Sequence, residues 1–244
     1  MSFEIGTDEE PQHWHEDIDD DVSGRLNWLR AGVLGANDGI VSTAGVVMGV
    51  AGATDDSATI LIAGIAALTA GALSMGAGEY VSVSTQRDSE RAILAMEKTE
   101  LEQMPHTEQE ELARMYRDKG LSKQTADLVA AELTEHNALE AHADIEFGID
   151  PDALANPWHA ALASMLAFTV GALLPLLVVA FVPDAARIIT TVVTVAVALA
   201  FAGAVSARLG YSPRLPAMAR NVGGGLLAMG VTYLIGSFAG IHLG

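Results

Sequence analysis

Cysteine is absent from the 244 residues, which excludes a disulfide framework, a thiolate zinc site and a thiol nucleophile. Bases are scarce as well. Thirteen Lys and Arg stand against 31 Asp and Glu, a formal net charge of −18. Nucleic-acid binding draws on clustered Lys and Arg that neutralise phosphates, so nucleic acid is excluded as a partner. Aromatic residues make up only 5% of the chain, yet 50% of it is hydrophobic and 24 residues are Gly. The mean hydropathy of +0.32 is high for so charged a chain. Apolar and charged residues must therefore be segregated along the sequence.

Partitioning the chain shows that segregation. Residues 1–30 carry a net charge of −7, residues 86–156 carry −10, and everything else carries −1. Five long apolar stretches remain, at about 31–53, 58–85, 158–182, 188–207 and 215–243. Each suffices to cross a hydrocarbon core about 30 Å thick, which takes roughly 20 helical residues. The first 24 residues are acidic and contain no Lys or Arg, unlike a secretory signal. Twelve of the thirteen bases fall on one side of the resulting topology. The excess of bases predicts a cytoplasmic N-terminus and an outer C-terminus. The division expected is an acidic tail at 1–24, two membrane helices at 25–85, a helical insert at 86–156 and three membrane helices at 157–244. Gly35 and Gly39, Gly45 and Gly49, and Gly236 and Gly240 are spaced for close helix approach in lipid. Pro175 falls inside the third apolar stretch, where a bundle tolerates it.

Two acids lie in the apolar stretches. Asp38, in the run Asn37-Asp38-Gly39, is a functional candidate because an intramembrane carboxylate is costly. Hydrogen bonding to another helix is the alternative. Glu79 follows Met75 by one helical turn, so a carboxylate and a thioether share a helix face. That pairing suits a borderline transition metal better than Mg²⁺ or Ca²⁺. Packing for Met75 and snorkelling to the interface for Glu79 are the plainer readings.

The insert reads as three helices: one continuing from the second apolar stretch to Pro105, one from about Thr107 to Asp118 and stopped by Gly120, and one capped by Ser122 and ended by Gly148 and Pro151. Glu97 and Glu100 are three apart on the first, as are Glu108 and Glu111 on the second. If those helices fold back on each other, four carboxylates converge, and the third adds Glu140, His142 and Glu146. Carboxylates with an imidazole bind divalent first-row metals, and like charges tolerate such proximity when a cation is present. A solvated helix surface is the alternative. No His in the insert follows a Glu by three residues, unlike the Glu-x-x-His pattern of ferritin-type di-iron sites. The acidic N-terminus, with His13, His15, Glu16, Asp17 and Asp19 to Asp21, reads as a solvated tail or, alternatively, a chelating one.

The runs Trp28-Leu29-Arg30-Ala31, Leu34-Gly35-Ala36-Asn37-Asp38-Gly39-Ile40-Val41-Ser42-Thr43, Ser74-Met75-Gly76-Ala77-Gly78-Glu79-Tyr80-Val81-Ser82-Val83 with Gln86, and Pro157-Trp158 resemble the vacuolar iron transporter family over about residues 25–243. The resemblance implies an all-α membrane homodimer with five transmembrane helices per protomer and a cytoplasmic three-helix metal-binding insert between helices two and three. It implies export of Fe²⁺, and often Mn²⁺ and related ions such as Zn²⁺ and Co²⁺, from the cytosol in exchange for protons. Asp38 and Met75 match the family's translocation-pathway acid and methionine, with Glu79 a further pathway acid. Glu97, Glu100, Glu108 and Glu111 match its metal-domain glutamates in spacing, and Glu146 the glutamate of its third helix. Where some plant members carry a methionine pair ahead of that last glutamate, this chain has His142 and Ala143, imidazole in place of soft sulfur.

The expectation is a divalent-metal/proton antiporter of the lipid bilayer, with no prosthetic group and no enzymatic activity. A membrane-anchored iron-binding or iron-oxidising carboxylate protein is the alternative. Three Lys against ten Arg, with abundant Asp, Ala and Val, hints at a prokaryotic plasma membrane.

Overall fold

The computed structural model describes residues 22–243. The histidines and acids expected of the N-terminal tail lie outside the described residues. What is described is helical: α1 (Val22–Ala53), α2 (Ser57–Gln103), α3 (Pro105–Asp118), α4 (Lys123–His142), a π-helical turn (Ala143–Phe147), α5 (Pro157–Phe181), α6 (Asp184–Leu209) and α7 (Arg214–Leu243). Five of these helices, α1, α2, α5, α6 and α7, are long and apolar enough to cross a membrane. At about 1.5 Å per residue the 47 residues of α2 extend about 70 Å, more than twice the ~30 Å of hydrocarbon. Its apolar part ends near Thr85, where the charged residues begin.

The chain divides into two compact units, one of residues up to Met75 together with Ala163–Gly244, the other Gly76–Leu162. In the first, glycine sets helix spacing. A Cβ on Gly39 of α1 would overlap the Phe168 carbonyl of α5, and one on Gly171 would overlap the Ala36 carbonyl. Gly236 of α7 stands in the same way against the Gly49 carbonyl, and a Cβ on Gly240 would lie 2.8 Å from the Ala53 carbonyl. Lipid gives helices no hydrophobic reason to associate, so close backbone packing takes over that role. Ile40, Ala44 and Met48 of α1 then meet Val195 and Leu199 of α6 and Met229 of α7 in the main core. Outward-facing residues are apolar too: Ile189, Val193, Val197 and Phe201 make a stripe along α6. Helices hydrophobic on all sides belong in a membrane.

A polar exception joins the starts of α2 and α6. Arg187, only 5% exposed, donates from Nη2 to Ser57 Oγ at 2.5 Å and pairs with Asp184. Ser57 Oγ in turn donates to Asp184 Oδ1 at 3.0 Å.

In the second unit the helix ends follow local chemistry. Pro105 opens α3, where a missing N–H costs nothing, so this helix starts earlier than the Thr107 expected. Ser122 Oγ accepts from Thr125 N–H at 3.2 Å and caps α4. Gly120 (φ 106°) and Gly148 (φ 62°) take left-handed conformations that close α3 and the π-helical turn. Leu112, Ala113 and Ala130 form the core, with Tyr116, Leu133, Ala141 and Ile145 packed against it. The third helix is not continuous as expected. Asn137 has non-helical angles (φ −160°, ψ 90°), and the π-helical turn follows His142.

Candidate metal centre

Three elements of the second unit each contribute one buried polar side chain to a common point. Glu97 comes from α2, Glu108 from α3 and His142 from the end of α4, and one ligand atom of each lies within 4.8 Å of the others. Glu108 precedes the core residue Leu112 by one turn, so its carboxylate lies on the face of α3 that packs inward. His142 is fully buried and Glu97 is 1% exposed. His142 Nδ1 approaches Glu97 Oε1 to 3.1 Å and Glu146 Oε1 to 3.7 Å. Even so, Glu97 Oε1 and both ring nitrogens of His142 have no hydrogen-bond partner. Buried polar atoms are nearly always paired, and a set left unpaired signals a missing ion or water.

The electrostatics agree. Burial, reinforced by the neighbouring carboxylates Glu146, Glu108, Glu100 and Glu111, pushes the Glu97 carboxyl up to about 7. Burial also raises Glu108, with Glu111 adding to it and His142 opposing. Glu146 rises through burial and the Glu111 charge, again opposed by His142. Acids pressed together without a counter-charge hold protons, and a divalent cation would release them. Two carboxylates and an imidazole form an oxygen–nitrogen donor set suited to a borderline first-row divalent ion.

Of the six metal-ligand candidates, Glu97, Glu108 and His142 form the closed group, and Glu146 stands at its edge. Glu100 and Glu111 are half-buried and act on Glu97 through their charge, with Glu111 also paired to Arg114. Glu140 does not join them. It is exposed, and it accepts from Asn137 Nδ2 at 2.8 Å. Sequence reading overlooked Asn137, although Asn137-x-x-Glu140 has the spacing of a capping box inside the helix.

The pathway candidates are placed as follows. Asp38 is exposed on α1, on the same outward stripe as Leu34, Ser42 and Val46. Ser42 Oγ donates to the Asp38 main-chain carbonyl at 2.7 Å. Met75 is half-buried against Ala72, Phe168 and Ala172. Glu79 is half-buried in the second unit.

A family model described as the VIT family matches residues 29–237. Among curated proteins, a vacuolar iron transporter of Acanthamoeba castellanii is 44% identical over 214 residues, covering 87% of this chain and 79% of that protein. Vacuolar iron transporter homolog 2 of Arabidopsis thaliana is 38% identical over 91% of this chain and 89% of its own length. VIT-like transporter 1b of Glycine max is 36% identical, over 87% and 76%. With the match reaching into all five candidate membrane helices, the chain belongs to the VIT family.

Proposed function

We infer that this protein moves Fe²⁺, and with it Mn²⁺, across a membrane in exchange for protons, exporting the metal from the cytosol. It is a multi-pass transporter and not an enzyme. The observation that carries the reading is the closed Glu97, Glu108 and His142 group, a buried oxygen–nitrogen donor set with unpaired ligand atoms. The names of the relatives, vacuolar iron transporters, support iron as cargo.

In this reading the charged unit is cytoplasmic, as the distribution of bases favours. Its glutamates gather the metal with His142 as nitrogen ligand. Asp38 and Met75 then take the ion along the pathway, with Glu79 a further acid, in a homodimer whose partner covers the face of α1 that carries Asp38. Metal binds only deprotonated carboxylates, so proton and metal compete for the same groups, and that competition couples the two fluxes.

Metal uptake into proteoliposomes under an imposed pH gradient tests this reading, with wild type compared to Asp38→Asn. Gradient-dependent Fe²⁺ uptake, abolished in the variant, is expected. Binding without flux, accompanied by steady oxygen consumption, would overturn antiport in favour of a membrane-anchored iron-oxidising protein.

A further inference from the structure

The position of His142 does not follow from a regular helix. Ala126 and Ala130 are fully buried, and Leu133 packs against the same core, which fixes the inward face of α4. At about 100° per residue, an unbroken helix would carry His142 to about 160° from Ala126, the solvent side. It would also return Asp144 to about the direction of Ala126. The reverse is observed: His142 is fully buried and Asp144 is exposed.

Two irregularities interrupt the helix, and only the break at Asn137 precedes His142. Asn137 leaves helical geometry. Its Oδ1 accepts from Glu140 N–H at 3.3 Å and its Nδ2 donates to Glu140 Oε2 at 2.8 Å. The first is the contact of an N-cap with its third helical residue; the second ties the two side chains together, where a capping box would use the main-chain N–H of Asn137. A second short helix therefore starts at Asn137 in a new rotational phase, and this phase turns His142 inward.

We propose that Asn137 is a positioning residue for metal binding: by capping the terminal segment of α4 it directs His142 onto Glu97 and Glu108. The proposal rests on the reading of that group as a metal site. Asn137 touches no metal itself and is exposed, so composition and burial give no reason to single it out.

Co²⁺ titration of the full-length protein in detergent micelles, followed by visible absorbance, tests it. Asn137→Ala removes the cap and favours an unbroken helix. It is expected to weaken Co²⁺ binding about 10–100-fold, the usual effect of losing a residue that orients a ligand. Asn137→Ser keeps a capping oxygen and should bind like wild type, whereas Asn137→Gln keeps the amide but is too long to cap and should follow Ala. Asp144→His added to Asn137→Ala should recover affinity, because an unbroken helix points position 144 at the site. Wild-type affinity in Asn137→Ala overturns the proposal. If that variant does not fold, equal affinities in the Ser and Gln variants overturn it instead. His142→Ala separates the two readings: no loss of affinity there would remove the metal site itself, while a loss there with none in Asn137→Ala removes only the positioning role.

Discussion

In the unit that holds most of the membrane-spanning residues, helices come closest where side chains are missing: Gly39 lies under the Phe168 carbonyl and Gly236 against that of Gly49. In the charged unit, beside the apolar core of Leu112, Ala113 and Ala130, they also meet where side chains repel one another, at Glu97, Glu108 and their acidic neighbours. The difference follows from what each unit gains by closing. Lipid already solvates apolar side chains, so helices there gain chiefly by direct packing, and small residues permit it. The charged unit buries like charges at a cost to its own stability, an arrangement that a cation would relieve.

The largest expected effects come from breaking each unit by its own rule. Gly236→Val forces a side chain into the α1 backbone and should cost about 3 kcal/mol, the upper end for overpacking, seen as a lower unfolding midpoint in detergent. Exchanging the charged cluster should leave folding in place while removing its ligand. Glu97→Gln is expected to weaken Fe²⁺ binding about 100-fold by equilibrium titration, and a variant binding as wild type does would exclude Glu97 as a ligand.

Acidity sharpens the contrast. The Glu97 carboxyl titrates near 7 in the folded protein against an ordinary value of 4.5. The folded state therefore keeps a proton that the unfolded chain releases from about pH 4.5 upward. Stability from this group is fully present below that value and is lost as pH rises through about 7. Bound metal displaces the proton and reverses the trend. The rise in unfolding midpoint on adding Mn²⁺ should accordingly be greater at pH 8 than at pH 5.5; an equal rise would mean that no proton is displaced.

Arg187→Ala tests the polar exception in the apolar unit. It leaves Ser57 and Asp184 without their shared donor and should cost about 1–3 kcal/mol. The smallest effect belongs to Gly224→Ala. A Cβ there meets nothing within 4 Å, and the change should stay within about 0.5 kcal/mol. A large loss in transport without a loss in folding would mark that face of α7 as covered by a partner.

The five apolar helices were legible because crossing about 30 Å of hydrocarbon imposes length and composition on consecutive residues. The close approaches at Gly35, Gly39, Gly236 and Gly240 were legible for a related reason, since one helix face repeats about every turn, whereas Gly45 of the remaining pair makes only ordinary contact with Thr232. Helix ends at Ser122, Gly120 and Gly148 are local chemistry, readable within a few residues. The candidate metal centre was legible only in residue type. Spacing proposed Glu97, Glu108 and His142, but it equally proposed Glu140, which faces solvent.

What the sequence by itself determined is which residues enter lipid and which carry the charge, since both follow from runs of like composition. Which acids come together with His142 was decided only in three dimensions. A single break at Asn137 changes the rotational phase of everything after it in α4, and an assumption of continuous helix cannot contain that information.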